Sequence, residues 1–309
     1  MEKRSFFQST GSCTRREFTS SLTKLAGSSI LVSEPFRSIT KTLSRQAEQY
    51  TVGQVIDLFI KEVPGSPFDK TVDTLKAGNL DIKITGILTT AFATIENIRK
   101  AINIGANFII VHEPTYYSHA DNTDWLKIDE VYKYKSALLK KHNIAVWRNH
   151  DYIHAHNPDG VMEGVLEALG WEKFKTDERQ IFKVPEISLK DLLIHTKQKL
   201  NAGTIRYVGN LNQSCEKILL IPGAAGGSTQ IKALIKYKPD VLIIGETSEW
   251  ETVEYVRDAN TKGDKLGLII LGHIASEDIG SKWMAEWLMR NTPGIKVTHI
   301  PTTKSLSYF

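Results

Sequence analysis

Phe108-Ile109-Ile110-Val111-His112-Glu113-Pro114 runs four apolar residues straight into an imidazole, a carboxylate and a proline. A short unbroken apolar run reads as a strand buried on both faces, the habit of parallel sheets covered by helices. Proline then removes the backbone donor that the strand would need to continue. Similar runs recur at Ile84–Thr90, Ile144–Trp147, Ile218–Ile221, Val241–Ile244, Leu268–Leu271 and Ile295–Thr298. Between them lie windows of helical period at 52–62, 94–104, 128–142, 159–169, 188–200, 228–237, 249–260 and 277–290. Strand and helix in alternation predict an α/β fold with mostly parallel sheets flanked by helices. The charged stretch Trp171–Pro185 has weak periodicity and divides two lobes, 51–180 and 181–309. The second lobe is expected to return to a cleft shared with the first.

The 309 residues are 41% apolar and 24% charged, enough for one large domain or two ordinary ones with a real core. No stretch of about 18 apolar residues exists, which excludes a membrane-spanning helix. Two cysteines, Cys13 and Cys215, exclude a disulfide framework and any thiolate zinc cluster. The net charge of +4 is local. Residues 1–50 hold eight of the 39 Lys/Arg and four of the 35 Asp/Glu, leaving 31 of each in the body. A nucleic-acid binder keeps its basic surface on the folded body, so a neutral body speaks against that class.

The basic leader carries Thr14-Arg15-Arg16-Glu17-Phe18, followed by the weakly apolar run Leu22–Val32. Paired arginines before a modest hydrophobic region resemble a twin-arginine export signal, which implies a periplasmic destination. Lys24 interrupts the apolar run, and an A-x-A cleavage signal is missing. The alternative is a basic tail or amphipathic first helix on a cytoplasmic protein. Residues 1–50 are thus expected to be leader and linker.

Ligands in parallel α/β sheets gather beyond the carboxyl ends of strands. Three predicted strand ends here carry imidazoles and carboxylates together: His112-Glu113, then His150-Asp151-Tyr152-Ile153-His154-Ala155-His156, then His273-Ile274-Ala275-Ser276-Glu277. Five of the nine histidines fall in these segments. A helix starting near Ser276 would put His273 just before it and Glu277 in its first turn. Neutral imidazoles with carboxylates and no thiolate suit Zn, Mn, Fe, Co or Ni without choosing among them. Two carboxylates can bridge a metal pair about 3.5–4 Å apart. Against this stands the plainer possibility that each histidine is a hydrogen-bonded structural residue.

Over Thr51 to about Pro301 the sequence resembles the NIF-three-like dinuclear-metal proteins, whose members carry the name GTP cyclohydrolase I type 2 homologue. The resemblance rests on Ile109-Ile110-Val111-His112-Glu113-Pro114, on Ile144-Ala145-Val146-Trp147-Arg148-Asn149-His150-Asp151-Tyr152-Ile153-His154 and on Gly272-His273-Ile274-Ala275-Ser276-Glu277. Looser counterparts are Val72–Gly78, Gly223–Gly227 and Asp240–Glu246. It implies a two-lobed NIF-three-like fold, a ring-shaped homohexamer and two divalent metal ions. Its five ligands fall on His112, Glu113, His154, His273 and Glu277. Glu113 stands where the family has His, and His154 where it has Asp, so the total of three imidazoles and two carboxylates is kept. His150 and His156 are the expected proton carriers, since imidazole titrates near neutrality. Asp151, Tyr116, Tyr117 and His119 are candidates for the cleft around them.

Pro222-Gly223-Ala224-Ala225-Gly226-Gly227-Ser228-Thr229 joins a strand to a helix. It lacks the lysine of a Walker loop and the G-x-G-x-x-G spacing. It reads as a tight turn with Ser228 as N-cap, the alternative being a phosphate cradle. The reading so reached is a metal-dependent hydrolase, of cyclohydrolase or phosphohydrolase type, acting on a small, nucleotide-like or phosphorylated substrate. A non-catalytic metal-binding or scaffold protein of the same fold is the alternative.

Overall fold

The computed structural model describes residues 49–307, so the arginine-pair leader and Cys13 lie outside the described residues. Chain order from the first helix is α1 (Val52–Ile60), β1 (Leu75–Ala77), β2 (Ile87–Thr90), α2 (Ile95–Ile104), β3 (Phe108–Val111), α3 (Glu130–Lys141), β4 (Ala145–Arg148), α4 (Asp151–Ala155) and α5 (Gly160–Leu169). There follow β5 (Ile181–Ser188), α6 (Leu189–Lys199), β6 (Arg206–Val208), β7 (Ser214–Ile221), α7 (Gly227–Tyr237), β8 (Val241–Ile244), α8 (Glu254–Lys262), β9 (Gly267–Ile270), α9 (His273–Asn291) and β10 (Val297–His299).

Helix starts follow their caps. Thr51 and Gln54 form a reciprocal capping box at α1, and Thr94, Asp129, Asp159 and Ser188 each accept a backbone N–H at α2, α3, α5 and α6. Each such bond satisfies a donor that the helix itself leaves unpaired.

The strands make two five-stranded sheets, ordered β1-β4-β3-β2-β10 and β5-β7-β8-β9-β6. Each has a parallel centre, and β1, β5 and β6 add antiparallel edges. Period-two alternation explains the continuous apolar runs. Phe108 and Ile110 face one core with α1 and α9, while Ile109 and Val111 face the other with α2 and α3. In the second sheet Val241 and Ile243 face α5 and α6, whereas Leu242 and Ile244 face α7 and α8. Burying each such side chain contributes roughly 1.5–3 kcal/mol, so both faces must be apolar.

The three antiparallel edge strands are absent from the sequence expectation, whereas the parallel edge β10 falls in the expected run Ile295–Thr298. Edge strands are half-exposed and need no apolar run. β5 even contains Pro185, tolerated because an edge leaves one row of donors unused. Trp171–Pro185 thus runs into the second sheet instead of serving only as a divider.

α9 follows β9 of the second sheet, yet its Met284, Ala285, Trp287 and Leu288 pack in the core of the first, and β10 then pairs with β2. It lies backbone-close to α5: a Cβ on Gly280 would come 2.7 Å from Val161 Cγ2. Among the described residues no helix is long and apolar enough to cross a membrane.

Candidate metal centre

β3 and β4 end side by side, and Asn149 N–H donates to Val111 O at 2.8 Å. His112 and Glu113 leave β3 with both backbone N–H groups donating to Ala91 O at 3.2 and 2.9 Å. This fixed turn points both side chains the same way, which a continuing strand would forbid. After β4, Asp73 takes the N–H of His150 and of Tyr152, each at 2.7 Å, and so sets the start of α4. One turn of that helix presents His150 and His154 together. From the other sheet, Gly272 adopts φ 92° and turns the chain directly from β9 into α9. The helix therefore begins at His273, not near Ser276, and His273 and Glu277 share one face as an i,i+4 pair.

The groups meet in a tight knot. His273 Nε2 lies 2.8 Å from Glu277 Oε2 and 3.0 Å from Glu113 Oε1. His112 Nε2 lies 3.4 Å from Glu277 Oε2 and 3.7 Å from Glu113 Oε1. His154 Nε2 is 4.0 Å from Glu277 Oε1. His150 stacks on His112, centroids 4.7 Å apart, and one ligand atom each of His112, His150 and His154 falls within a 4.8 Å circle. The same holds for His112, Glu113 and Glu277. All five expected ligands are thus brought together, and His150 joins them.

The outward nitrogens decide the chemistry. All four Nδ1 atoms have an oxygen partner: Asn149 O for His112 at 3.3 Å, Asp151 for His150 at 3.0 Å, Asp159 for His154 at 3.1 Å, and Glu246 for His273 at 3.3 Å. A carbonyl or ionised carboxylate only accepts, so each Nδ1 carries the proton. Each Nε2 is thereby turned toward the common centre, where that of His273 already lies within hydrogen-bond distance of Glu113 and Glu277; fixing Nδ1 in this way orients imidazole toward a metal. His112 Nε2 is buried and makes no hydrogen bond. A buried imidazole nitrogen facing two carboxylates without a formed hydrogen bond is costly in a purely structural network. It fits a divalent cation.

Charge tells the same story. Burial presses the His112 pKa down, but Glu277 and Glu113 overcome it and push it up to about 9. Burial likewise opposes His273, and the hydrogen bonds its ring donates to Glu113, Glu246 and Glu277 carry it up to about 12. Burial raises Glu277, and the neighbouring imidazoles hold it well below its usual range. The two carboxylates thus demand positive charge at their midpoint. His150 goes the other way: burial and the neighbouring His112 push it down to about 4. This favours the neutral ring.

His156 is not part of the group. Its ring stacks on Phe59 at 5.5 Å and meets the edge of Trp283, with Nδ1 donating to Pro158 O at 2.8 Å. It borders another cavity, because the chain leaves α4 before His156 and turns away. His119 lines the metal cavity, Tyr117 a neighbouring one and Tyr116 a third.

Sequence reasoning passed over Glu246, Asp159 and Arg148. Glu246 sits at the end of β8, a position that itself hinted at a site. Asp159 both caps α5 and holds His154, while Arg179 reaches Asp159 at 2.7 Å. Arg148 is wholly buried behind the centre, with Nε donating to His112 O at 3.1 Å and Nη2 3.8 Å from Glu113.

A cavity of about 570 Å³ opens beside the knot, lined among others by His150, His154, Arg179, His273 and Glu277. Ala224 and Ala225 of the glycine loop also border it. Ser228 is not the N-cap of α7; Gly226, at φ 80°, holds that place without a side-chain bond. Gly223 has its own reason. At φ 70° its missing Cβ would stand 2.1 Å from Glu277 Oε1, so glycine alone lets the carboxylate come that close. Gly223→Ala is expected to displace Glu277, lower stability by about 1–3 kcal/mol in urea titration and strip bound metal. Gly226→Ala, with open space around it, should cost backbone strain only. Equal metal content in both variants would refute this account of Gly223.

Comparison with known proteins agrees with this fold. Residues 70–305 match the family model Duf34/NIF3 (NGG1p interacting factor 3). A GTP cyclohydrolase 1 type 2 homolog of Clostridium acetobutylicum is 25% identical over 66% of this chain and 76% of its own length. A namesake from Clostridium perfringens is 26% identical over 66% and 77%. Among solved structures, a Staphylococcus aureus hypothetical protein superposes with a TM-score of 0.69 at 21% identity, covering 85% of this chain and all of that one. HcgD from Methanocaldococcus jannaschii superposes at 0.63 with 18% identity, over 81% and 97%. With its two-sheet fold and a family match spanning most of its length, the chain belongs to the Duf34/NIF3 family.

Proposed function

We propose that this protein is a dinuclear-metal-dependent hydrolase of a small phosphorylated or nucleotide-like substrate. The observation that carries the reading is the set of four imidazoles, each with Nδ1 tied to an oxygen and Nε2 turned toward a common centre that also holds Glu113 and Glu277. His112, Glu113, His154, His273 and Glu277 would hold the metals, and His150 adds a neutral lone pair. The chemistry supplied there is Lewis acidity, which acidifies water and polarises a carbonyl or phosphoryl oxygen.

The chain's own residues do the rest. Asp159, Asp151, Glu246 and the Asn149 carbonyl hold the four rings in one tautomer. Arg148 and the imidazoles balance the buried carboxylates. The adjoining cavity gives a substrate access to the centre, which favours catalysis over a closed structural site. The names of the clostridial relatives make GTP the first compound to try.

Protein purified without chelator or affinity tag should contain about two divalent metals per chain by elemental analysis. His112→Ala and Glu277→Ala should lose them. His273→Ala, if folded, should lower turnover on GTP or a phosphomonoester more than about tenfold. Metal-free protein would sink the reading. Full metal without turnover across such a panel would turn it into a scaffold.

Self-association belongs to the same proposal. Trp125, Ile128, Val131 and Tyr134 are exposed large apolar residues crowded into ten positions, more than a lone monomer usually shows in one place. Light scattering should give a hexamer, and Trp125→Asp with Val131→Asp should break it. A wild-type monomer would refute that. The leader is proposed to direct export. A reporter fused to residues 1–50 should reach the periplasm and stay in the cytoplasm once Arg15 and Arg16 become Lys; cytoplasmic wild-type fusion would refute export.

A further inference from the structure

Lys135 breaks the pattern of its helix. On α3 it occupies the buried face with Leu139, where an apolar residue is expected. The side chain is only 3% exposed. Among the described residues its ammonium forms no ion pair with a carboxylate; its nearest salt-bridging neighbours pair elsewhere. Nζ donates to Thr115 O at 2.5 Å and stands 5.1 Å from the ring centroid of Tyr117 and 5.6 Å from that of Tyr116. An ammonium has three N–H groups, and one carbonyl uses one of them. Burial pushes its pKa down to about 8 against the attraction of the Asp121 carboxylate, so the ring faces, the carbonyl and that carboxylate together do not fully repay the lost water.

The ammonium borders a cavity of about 450 Å³, a size suited to a small ligand. Phe92, Tyr117, Glu113 and His119 also line it. Glu113 and His119 are shared with the metal cavity, so the two spaces meet at the metal-holding carboxylate. Phe92 packs edge-on to His273 at 5.9 Å. Tyr117 adopts φ 63°, a strained conformation for a tyrosine, and its ring remains 55% exposed. Two aromatic rings and one incompletely compensated cation therefore border a space that shares Glu113 and His119 with the cavity beside the knot. Glu113 does not oppose an anion there, since His273 at 3.0 Å and Arg148 at 3.8 Å already offset its charge.

We propose that this cavity is the ring subsite of the same active centre, taking a planar, anionic heteroaromatic group with its negative charge on Lys135 and its face against Tyr117 or Phe92. It rests on the hydrolase reading for what happens to the ring, but not for its capture. Planarity is demanded by the aromatic walls. Negative charge is favoured by a buried ammonium that has a carbonyl and ring faces but no carboxylate in direct contact.

Orotate, uracil and dihydroorotate separate the two demands: planar and anionic, planar and neutral, puckered and anionic. By calorimetry on the full-length protein as purified, orotate should bind at least about tenfold more tightly than either control. Lys135→Met should bring orotate down to the uracil level while leaving uracil binding, metal content and melting behaviour essentially unchanged. Phe92→Ala should weaken orotate and uracil alike. Equal binding of the three compounds by the wild type overturns the subsite. So does an orotate preference that survives in folded K135M protein. A Lys135-dependent preference in protein without metal would leave the subsite standing and remove the hydrolase reading; metal without the preference would do the reverse.

Discussion

One helix start determines where the chemistry can be. α9 leaves the second sheet at Gly272 and spends its length in the core of the first. Its first turn therefore lies between the strand ends of both sheets. Glu277, carried on that turn, meets Glu113 from β3 across His273. Two buried carboxylates so close repel unless positive charge comes between them. Four imidazoles, a buried arginine and a cleft that admits a cation are the answer that this chain provides. Gly223 and Gly280 are parts of the same constraint. One makes room for Glu277, the other lets α9 lie against α5, and a side chain at either would push the carboxylate away from its partner.

The exchange of Glu113 and His154 relative to the family pattern is coherent in this light. Glu113 sits where two imidazoles and Arg148 can balance a carboxylate. His154 sits where Asp159 can orient an imidazole. Either change alone would alter the charge of the knot by one; together they keep it. The swap that the resemblance implies would thus redistribute charge within one cluster, where Glu113 and His154 each have a partner suited to them.

The central strands and nearly every long helix were legible because buried parallel strands need apolar residues on both faces. That need writes an unmistakable run into Phe108–Val111 or Val241–Ile244. The edge strands left no such mark: Arg206–Val208 is mostly exposed, and Ile181–Ser188 carries a proline. The ligands were legible as strand-end clusters and through the resemblance, but their geometry was not. His150 and His156 look equivalent in sequence, six residues apart. Asp73, 77 positions upstream of His150, fixes the start of α4 and hence which of them faces the centre. Asp159 and Glu246 escaped notice because acting on a histidine's far nitrogen requires proximity in space, which spacing along the chain does not encode.

Lys135 shows the same limit from the other side. In sequence it is one lysine in a lysine-rich helix, beside Lys133, Lys140 and Lys141. Only the docking of α3 separates it from them, burying it while the others stay in water. A chain under selection for stability alone would place leucine there, as it does one turn later at Leu139. The retained charge, like the unpaired His112 Nε2, is a local cost set at the border of one cavity system. Costs of this kind persist where binding depends on them. The two costs arise on separate elements, Lys135 on α3 and His112 at the end of β3, and Glu113 is common to their surroundings, lining one cavity with Lys135 and facing His112 across the knot.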